Sequence, residues 1–275
     1  MNSFFYQCAY QSKQAYLSLK QKPGFVFSVV STMGITLGAL LCTLTLASVL
    51  FFKGLPYPEY QELVKVNHQF IDRESNISAV SFNYPGVMDL YQKQQVFSQS
   101  ALIYYSAKTL AIHSSQPTIL AAHVTPEYFN IFAMPMLMGR TFDNNEGLNS
   151  NIPLAILDHK TWLEVFNGDQ DILGKSVKFW DVNYTIIGVN SASFEEPLLE
   201  EDSTSQTQVW LSWDNNPVRE SRRKEWETTN ANLVFVGQLS AKQSRLQAEQ
   251  ELTSFIDEKW QAALAGNDFY KGWSI

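Results

Sequence analysis

The stretch PGFVFSVVSTMGITLGALLCTLTLASVLFF, residues 23–52, decides the architecture because it contains no Asp, Glu, Lys or Arg. Thirty helical residues at ~1.5 Å each reach about 45 Å, which is enough to cross a hydrocarbon core of roughly 30 Å with some tilt. We therefore predict a transmembrane helix over residues 23–53. A secretory signal cleaved after Ala47 is the alternative, but the length of the apolar run favours an uncleaved span.

Charge divides the chain at the end of this run. Residues 1–58 carry four lysines and no acid, whereas residues 59–275 carry 16 basic residues and all 27 acidic ones. Three of the four lysines precede the run and only Lys53 directly follows it, so the positive-inside rule predicts a cytoplasmic N-terminus. The acidic remainder is then predicted to be extracytoplasmic. It contains no cysteine, so no disulfide can stabilise it.

Two features of the N-terminal part predict contacts at the membrane. Gly34 and Gly38 make a small-xxx-small pair on one helix face, which favours close packing by another helix, although glycine is also frequent in membrane helices in general. Residues 1–22 show apolar and basic side chains at helical spacing. They are predicted to form a cytoplasmic amphipathic segment that ends at Pro23.

The acidic part alternates predicted strands and helices. The predicted fold class is therefore α+β, with one N-terminal transmembrane helix followed by a two-lobed mixed α/β extracytoplasmic domain over residues 54–275. We expect an inner lobe of about 59–124 plus 231–275 and an outer lobe of about 125–230. The strands ELVKV and NLVFVGQL, at opposite ends of this domain, are predicted to share one sheet because both ends must return to the membrane.

Capping residues predict where the helices begin. Asn83, Thr125 and Asp158 are each expected to cap a helix. Ser240 with Gln243 matches a capping box, and the helix that follows is predicted to present one apolar face from Leu252 to Leu264.

Four ordered motifs carry a resemblance to a known family. They are GLPYPEYQELVKV (54–66), GRTFDNNEG (139–147), WLEVFNGDQDILGKSV (162–177) and YTIIGV (184–189). In this order and spacing the chain resembles the N-terminal half of an ABC-transporter permease of the MacB/FtsX-like type, and in particular its periplasmic core domain. It is most similar to the branch of stand-alone permeases without a fused ATPase. Two departures are NSASF after Val189, where the family pattern has a proline, and the acidic insertion EEPLLEEDSTSQ.

The resemblance singles out two groups of residues. The membrane-exit elbow consists of Leu55, Pro56, Tyr57 and Pro58. The structural motif residues are Gly139, Arg140, Phe142, Asp169, Gly174 and Gly188.

The elbow has a physical interpretation of its own. Pro56 and Pro58 fix φ and push Leu55 and Tyr57 out of the α region, so the helix ends and the chain leaves the membrane as a semi-rigid extended segment. A stiff exit would transmit movement that a flexible linker would absorb. The simpler alternative is that the prolines only end the helix.

The function implied by the resemblance is that of a non-catalytic permease component in an ABC-type export or extraction system of the bacterial inner membrane. It would relay ATPase-driven motion of membrane helices to the periplasmic domain. The implied partners are a separate cytoplasmic ABC ATPase subunit, another permease half or dimer partner, and a periplasmic adaptor. The chain is expected to be the N-terminal part of a longer permease. The alternative is a single-pass membrane-anchored periplasmic sensor or binding module.

Enzyme motifs are missing from the sequence. It has no G-x-S-x-G, H-E-x-x-H, C-x-x-C or glycine-rich phosphate loop, so we predict no catalytic, metal or cofactor-binding residues and no cofactor. The four histidines are scattered and are expected to be ordinary surface or half-buried residues. The basic cluster RESRRKEW (219–226) is interleaved with acids, and nucleic acid is not an expected partner in an acidic extracytoplasmic domain.

Overall fold

The computed structural model describes residues 10–11, 13–14, 16–18, 20–52, 57, 60–72, 77–109, 118–197, 199, 206–241, 243–266 and 274. The chain divides into two compact units, Met1–Leu55 and Pro56–Ile275.

The first unit contains helix α1, Pro23–Phe52, which coincides with the uncharged run. Its segment Pro23–Ser48 is long and apolar enough to cross a membrane. The hydroxyls of Thr36 and Thr43 donate hydrogen bonds to carbonyls four residues earlier, at 2.9 and 2.8 Å, so these polar side chains are satisfied within the helix, as lipid requires. The described residues between 10 and 20 are also helical. Gln21 and Lys22 are not helical and separate these residues from α1, and the other residues of the predicted amphipathic segment lie outside the described part of the chain.

The second unit is built from thirteen described strands and five described helices. The strands are β1 (Leu63–Val66), β2 (Gln69–Asp72), β3 (Ile77–Val80), β4 (Phe82–Asn83), β5 (Phe97–Thr109), β6 (Thr118–Val124), β7 (Met136–Gly139), β8 (Leu154–Leu157), β9 (Ser176–Phe179), β10 (Val182–Asn190), β11 (Val209–Ser212), β12 (Thr229–Asn230) and β13 (Leu233–Leu239). The helices are α2 (Tyr84–Lys93), α3 (Glu127–Ile131), α4 (His159–Val165), α5 (Arg245–Thr253) and α6 (Glu258–Gly266).

One nine-stranded sheet organises this unit, in the order β1-β13-β5-β6-β11-β8-β10-β7, with β9 paired to β10. Strand β1 pairs antiparallel with β13, with Leu63 opposite Gln238, so the prediction that the two end strands share one sheet is confirmed. Strands β8 and β10 are parallel and are joined through α4, whereas the hairpin β9-β10 is antiparallel. The α+β fold class is confirmed.

Two blocks of strands follow each other along the sheet. The inner block, β1-β13-β5-β6, comes entirely from the predicted inner lobe, and the outer block, β11-β8-β10-β7, comes entirely from the predicted outer lobe. The blocks meet where β6 and β11 pair in parallel, with Val209 opposite Ala121. Because they share one continuous sheet, the division into two lobes stays a prediction.

Alternating side chains place three hydrophobic clusters around this sheet. On β5, Ala101 and Ile103 point into one cluster, and Leu102 and Tyr104 point to the opposite face, as the two-residue period of a strand requires. The first cluster, which we call the common cluster, also receives residues from β8 and β11 of the outer block. On the opposite face an inner cluster lies under α2, α5 and α6, and an outer cluster lies under α4.

Two of the predicted helix starts are confirmed. The Asn83 side-chain oxygen accepts a hydrogen bond from the Gly86 amide at 2.7 Å, and Asp158 accepts from the Lys160 amide at 2.9 Å.

Two other predicted caps are wrong, and each has a local reason. The Thr125 hydroxyl oxygen accepts from the Leu102 amide of β5 at 3.2 Å, so it bridges to the sheet and does not cap α3. The Ser240 amide donates a hydrogen bond to the Val96 carbonyl oxygen at 3.2 Å. Ser240 directly follows β13 and Val96 directly precedes β5, so this bond extends the pairing of the two strands. The capping box forms one turn later, at Ser244 and Gln247.

The predicted face from Leu252 to Leu264 is divided between two helices. Helix α5 ends at Thr253, and α6 begins at Glu258 after Asp257 accepts a hydrogen bond from the Lys259 amide at 2.9 Å. Trp260 of α6 is buried in the inner cluster, as the apolar face predicts.

Candidate functional site

The best-defined site built on a predicted functional residue is the anchor of Tyr57. Its side chain is only 8% exposed and belongs to the common cluster, where its ring meets that of Phe132 edge to face at 5.5 Å. The hydroxyl donates a hydrogen bond to the Glu195 carbonyl oxygen at 2.5 Å. Burial, and then the charges of Glu195 and Glu196, raise the pKa of Tyr57 to about 12, so the hydroxyl keeps its proton and remains a donor at neutral pH.

The other members of the predicted elbow, Leu55, Pro56 and Pro58, lie outside the described residues. Tyr57 was predicted from the resemblance as part of a stiff exit. Its burial in the domain core was not predicted, because a tyrosine between two prolines carries no periodic signal of its own.

The segment that accepts the Tyr57 hydrogen bond consists of Phe194 and the first residues of the acidic insertion, which begins at Glu195. Phe194 packs edge to face against Trp210 at 5.9 Å and contributes to the common cluster. Lys65 of β1 donates from Nζ to the Leu199 carbonyl oxygen at 2.5 Å. The first part of the insertion is therefore attached to the core. Phe194, directly before the insertion, is the sequence signal that could have indicated this attachment.

The Glu196 side chain connects the same segment to the domain core. Its two carboxylate oxygens accept hydrogen bonds from the Tyr128 hydroxyl at 2.9 Å and from the Thr207 amide at 2.8 Å. Burial raises the pKa of Glu196 above its ordinary value, and the nearby charge of Asp158 adds to that effect. Together Tyr57, Glu196 and Tyr128 form what we call the exit anchor, in which the exit residue, the insertion and α3 meet in one core.

Gly139 and Gly188 allow two backbones to approach where β7 pairs with β10. They are opposite each other in the register, and Gly139 has φ of 76°. A Cβ on Gly139 would lie 2.1 Å from the Ile187 carbonyl oxygen, and a Cβ on Gly188 would lie 2.7 Å from the Arg140 carbonyl oxygen. Both glycines are therefore required by sterics.

Arg140 and Phe142 follow Gly139 in the sequence and stabilise the turn after β7. The Arg140 guanidinium donates to both oxygens of Glu146, each at 2.7 Å, and this pairing lowers the pKa of Glu146. The same carboxylate accepts from the Asp143 amide at 2.8 Å. Phe142 is buried in the common cluster, with its ring 5.0 Å from that of Phe129. These residues close the turn that leads from β7 back into the core.

Asp169 and Gly174 shape the turn between α4 and β9. The Asp169 side chain accepts from the Asp171 amide at 3.0 Å and pairs with Lys175, while its carbonyl accepts from the Trp162 indole at 2.9 Å. Gly174 has φ of 81°, and its amide donates to Ile186 of β10 at 2.8 Å. The motif residues therefore form two turns that flank β10, separate from the exit anchor.

Gly34 and Gly38 lie on α1, and apart from the adjacent backbone of that helix no atom of the described residues comes within 4 Å of a Cβ placed on either. The surface next to them is therefore open on this chain. Their proposed role in helix packing stays a prediction.

The histidines correct one expectation. His68 and His123 are 4% and 0% exposed, so they are core residues and not surface or half-buried ones. His159 is half-buried, and His113 lies outside the described residues. Within the described ranges no group of three His, Cys, Asp or Glu side chains is arranged to hold a metal ion.

Comparisons with known proteins identify related molecules. The family model described as MacB-like periplasmic core domain matches residues 28–255. The Macrolide export ATP-binding/permease protein MacB of Escherichia coli (strain K12) is 29% identical over 133 residues, and the protein of the same name from Shigella flexneri gives the same values. The match covers 48% of this chain and 19% of each relative, so the chain spans about a fifth of their length.

One solved structure shows a similar fold, and a second has a lower structural similarity. A domain of a putative permease protein from Porphyromonas gingivalis has a TM-score of 0.52 at 15% identity, covering 74% of this chain and 83% of that one. The periplasmic region of MacB from Actinobacillus actinomycetemcomitans has a TM-score of 0.46 at 15% identity, covering 68% and 80%.

Proposed function

We propose a role for this chain from the premise that it belongs to the family of MacB-like periplasmic core domains, whose model matches most of its length. The chain carries the periplasmic domain of an ABC-transporter permease behind an apolar helix. In our proposal this domain is non-catalytic and relays ATPase-driven motion of the membrane helices to the extracytoplasmic side during export or extraction. The helix would lie in the bacterial inner membrane with its N-terminus in the cytoplasm.

The burial of Tyr57 is the observation that supports this proposal. Tyr57 follows Phe52, the last residue of α1, by five residues, which reach at most about 18 Å when fully extended. Its ring is packed in the common cluster, to which both the inner and the outer block contribute side chains. A displacement at the end of α1 would therefore reach the core of the domain through a short segment that contains two prolines.

The proposed partners follow from the resemblance and from the relatives. The relatives' name combines ATP binding with a permease. The motifs of this chain resemble those of stand-alone permeases without a fused ATPase, so we propose a separate cytoplasmic ABC ATPase subunit. A second permease half or dimer partner would pack on the Gly34 and Gly38 face of α1, and a periplasmic adaptor would receive the motion. A single-pass binding module remains a second candidate, because the domain also contains a large cavity.

The experiment replaces Pro56 and Pro58 together by glycine in the complete permease and follows ATP hydrolysis and export side by side. Export is read as the resistance that the intact permease confers. The φ restriction at the exit would be removed while ATPase contacts made elsewhere persist. We expect hydrolysis to be retained and export to fall. Pro217→Gly, in an exposed loop of the domain, is the control and should leave both unchanged. Full export by the double glycine variant would refute the relay.

A further inference from the structure

A large cavity lies beside the inner cluster, away from the exit anchor. It has a volume of about 740 Å³ and is bounded by β1, by the following turn and by helices α5 and α6. Its walls are mainly apolar and include Val66, Phe82, Leu252, Ile256 and Trp260. A volume of this size is within the range of small-molecule sites, which are typically ~300–1,000 Å³.

One polar side chain with an unused hydrogen-bonding atom lines this apolar cavity. His68 is 4% exposed, and its Nδ1 lies 2.8 Å from the Ser81 carbonyl oxygen. A carbonyl oxygen can only accept, so Nδ1 carries the proton and donates. Burial lowers the pKa of His68, so the ring is neutral and its Nε2 holds a lone pair. Nε2 is buried and has no hydrogen-bond partner among the described residues.

Aromatic rings surround the imidazole. The ring of Trp260 lies 4.8 Å from it edge to face, that of Phe70 lies 4.6 Å away edge to face, and that of Phe82 stacks at 5.8 Å. Edge-to-face and offset stacking are the contacts that aromatic rings prefer, so a further flat ring is compatible with these walls.

Charged groups on the described cavity wall are confined to three side chains. Lys65 donates to the Leu199 carbonyl oxygen at 2.5 Å, Arg245 donates to the Gln61 carbonyl oxygen at 3.3 Å, and Glu249 is exposed. Both cations are thus already engaged with backbone oxygens. The cavity has no buried charge among its described lining residues that would pair with a charged ligand.

We propose that this cavity binds an uncharged, ring-bearing molecule with a single hydroxyl or N–H donor, whose proton is accepted by His68 Nε2 when the aromatic rings packed around the imidazole move aside. A buried acceptor that lacks a donor destabilises the empty state, and a donor-bearing ligand removes that penalty when it binds. The apolar walls supply the remaining affinity by removing the ring from water. This inference does not depend on the relay, because it concerns a different cluster of the domain.

The test uses the full chain in lipid nanodiscs and two photoreactive probes, a phenol that carries a diazirine and the methyl ether of the same compound. The two probes differ only in the donor. Mass spectrometry then locates the modified residues and gives the concentration for half-saturation. We expect saturable labelling of the segments around Ile256 and Trp260. The phenol should half-saturate at a concentration about five- to a hundredfold lower than the ether.

Variants connect this difference to His68. His68→Leu should raise the half-saturation of the phenol to that of the ether, whereas His159→Leu, a histidine outside the cavity, should leave the difference intact. Leu252→Trp should fill the cavity and abolish labelling by both probes. Gln250→Trp, on the same helix but not lining the cavity, should not. Thermal unfolding checks the fold of each variant.

Two outcomes would overturn the proposal. The first is equal half-saturation by phenol and ether in the parent chain, which would show that His68 contributes no acceptor. The second is labelling confined to the membrane helix, which would show only partitioning of the probes into lipid. If the phenol advantage persists in folded His68→Leu, the acceptor is not His68 and the assignment is wrong.

Discussion

Removing the hydroxyl of Tyr57 should loosen the insertion that it holds. Tyr57→Phe deletes one hydrogen bond, from Tyr57 to the Glu195 carbonyl oxygen, and keeps the ring against Phe132. A net contribution of ~0.5–1.5 kcal/mol is typical for such a bond. Tyr57→Ala also removes a buried ring, and large-to-small changes of this kind lower the free energy of unfolding by about 3–5 kcal/mol.

Hydrogen exchange measures the local effect. The Thr207 amide donates to Glu196 at 2.8 Å, one residue away from the Tyr57 contact, and so reports opening of the insertion. A loss of about 1 kcal/mol in local stability corresponds to about fivefold faster exchange. We expect that increase in Tyr57→Phe for the full chain in nanodiscs, and a larger one in Tyr57→Ala.

A matched control separates this local effect from general destabilisation. Tyr184 also donates from its hydroxyl to a backbone carbonyl, that of Asn215, at 3.1 Å, but it belongs to the outer cluster. Tyr184→Phe should therefore leave exchange at Thr207 unchanged. The reasoning about the exit anchor fails if Tyr57→Phe does not accelerate exchange there, or if Tyr184→Phe accelerates it equally.

The motif residues and Glu196 give three further predictions. Gly139→Ala should cost more stability than Gly174→Ala, since both have positive φ, worth about 1–2 kcal/mol, but only Gly139 would also place its Cβ 2.1 Å from a carbonyl oxygen; urea unfolding of both variants checks this. Arg140→Ala should lower the free energy of unfolding by about 1–2 kcal/mol, because it removes both hydrogen bonds to Glu146 from a half-exposed side chain. The raised pKa of Glu196 means that the folded state binds its proton more tightly than the unfolded chain, so the free energy of unfolding falls as pH rises above about 4.5. Glu196→Gln should lack this part of the pH dependence when the free energy of unfolding is measured with urea at several pH values. The same pH dependence in the parent and in Glu196→Gln would contradict the burial of the carboxylate.

Much of the fold could be predicted from the sequence because the signals are local. An uncharged run of thirty residues is a helix in lipid whatever surrounds it, and α1 coincides with it. Asn83 and Asp158 cap helices because their side chains reach amides two or three residues away. Gly139 and Gly174, which the resemblance singles out, both have positive φ, a conformation that glycine adopts without steric cost.

The remaining features depend on partners that are distant in sequence. Thr125 is a good helix cap in isolation, but Leu102 of β5 uses its hydroxyl oxygen. Tyr57 bonds to Glu195, 138 residues away, and no local pattern indicates such a contact. His68 follows a polar residue and precedes another, so its burial among aromatic rings results from the packing of α6 on the sheet.

The stiffness of the membrane exit is the central claim, and a distance distribution tests it most directly. Cys8 and Cys42 are replaced by serine and alanine, and spin labels are attached at Ser48→Cys on α1 and Gln250→Cys on α5. Double electron–electron resonance in nanodiscs then reports how widely the domain moves relative to the helix. We predict one narrow distribution for the parent and broad ones for Pro56→Gly/Pro58→Gly and for Tyr57→Ala. A broad distribution in the parent, or an unchanged width in the double glycine variant, would contradict a stiff exit.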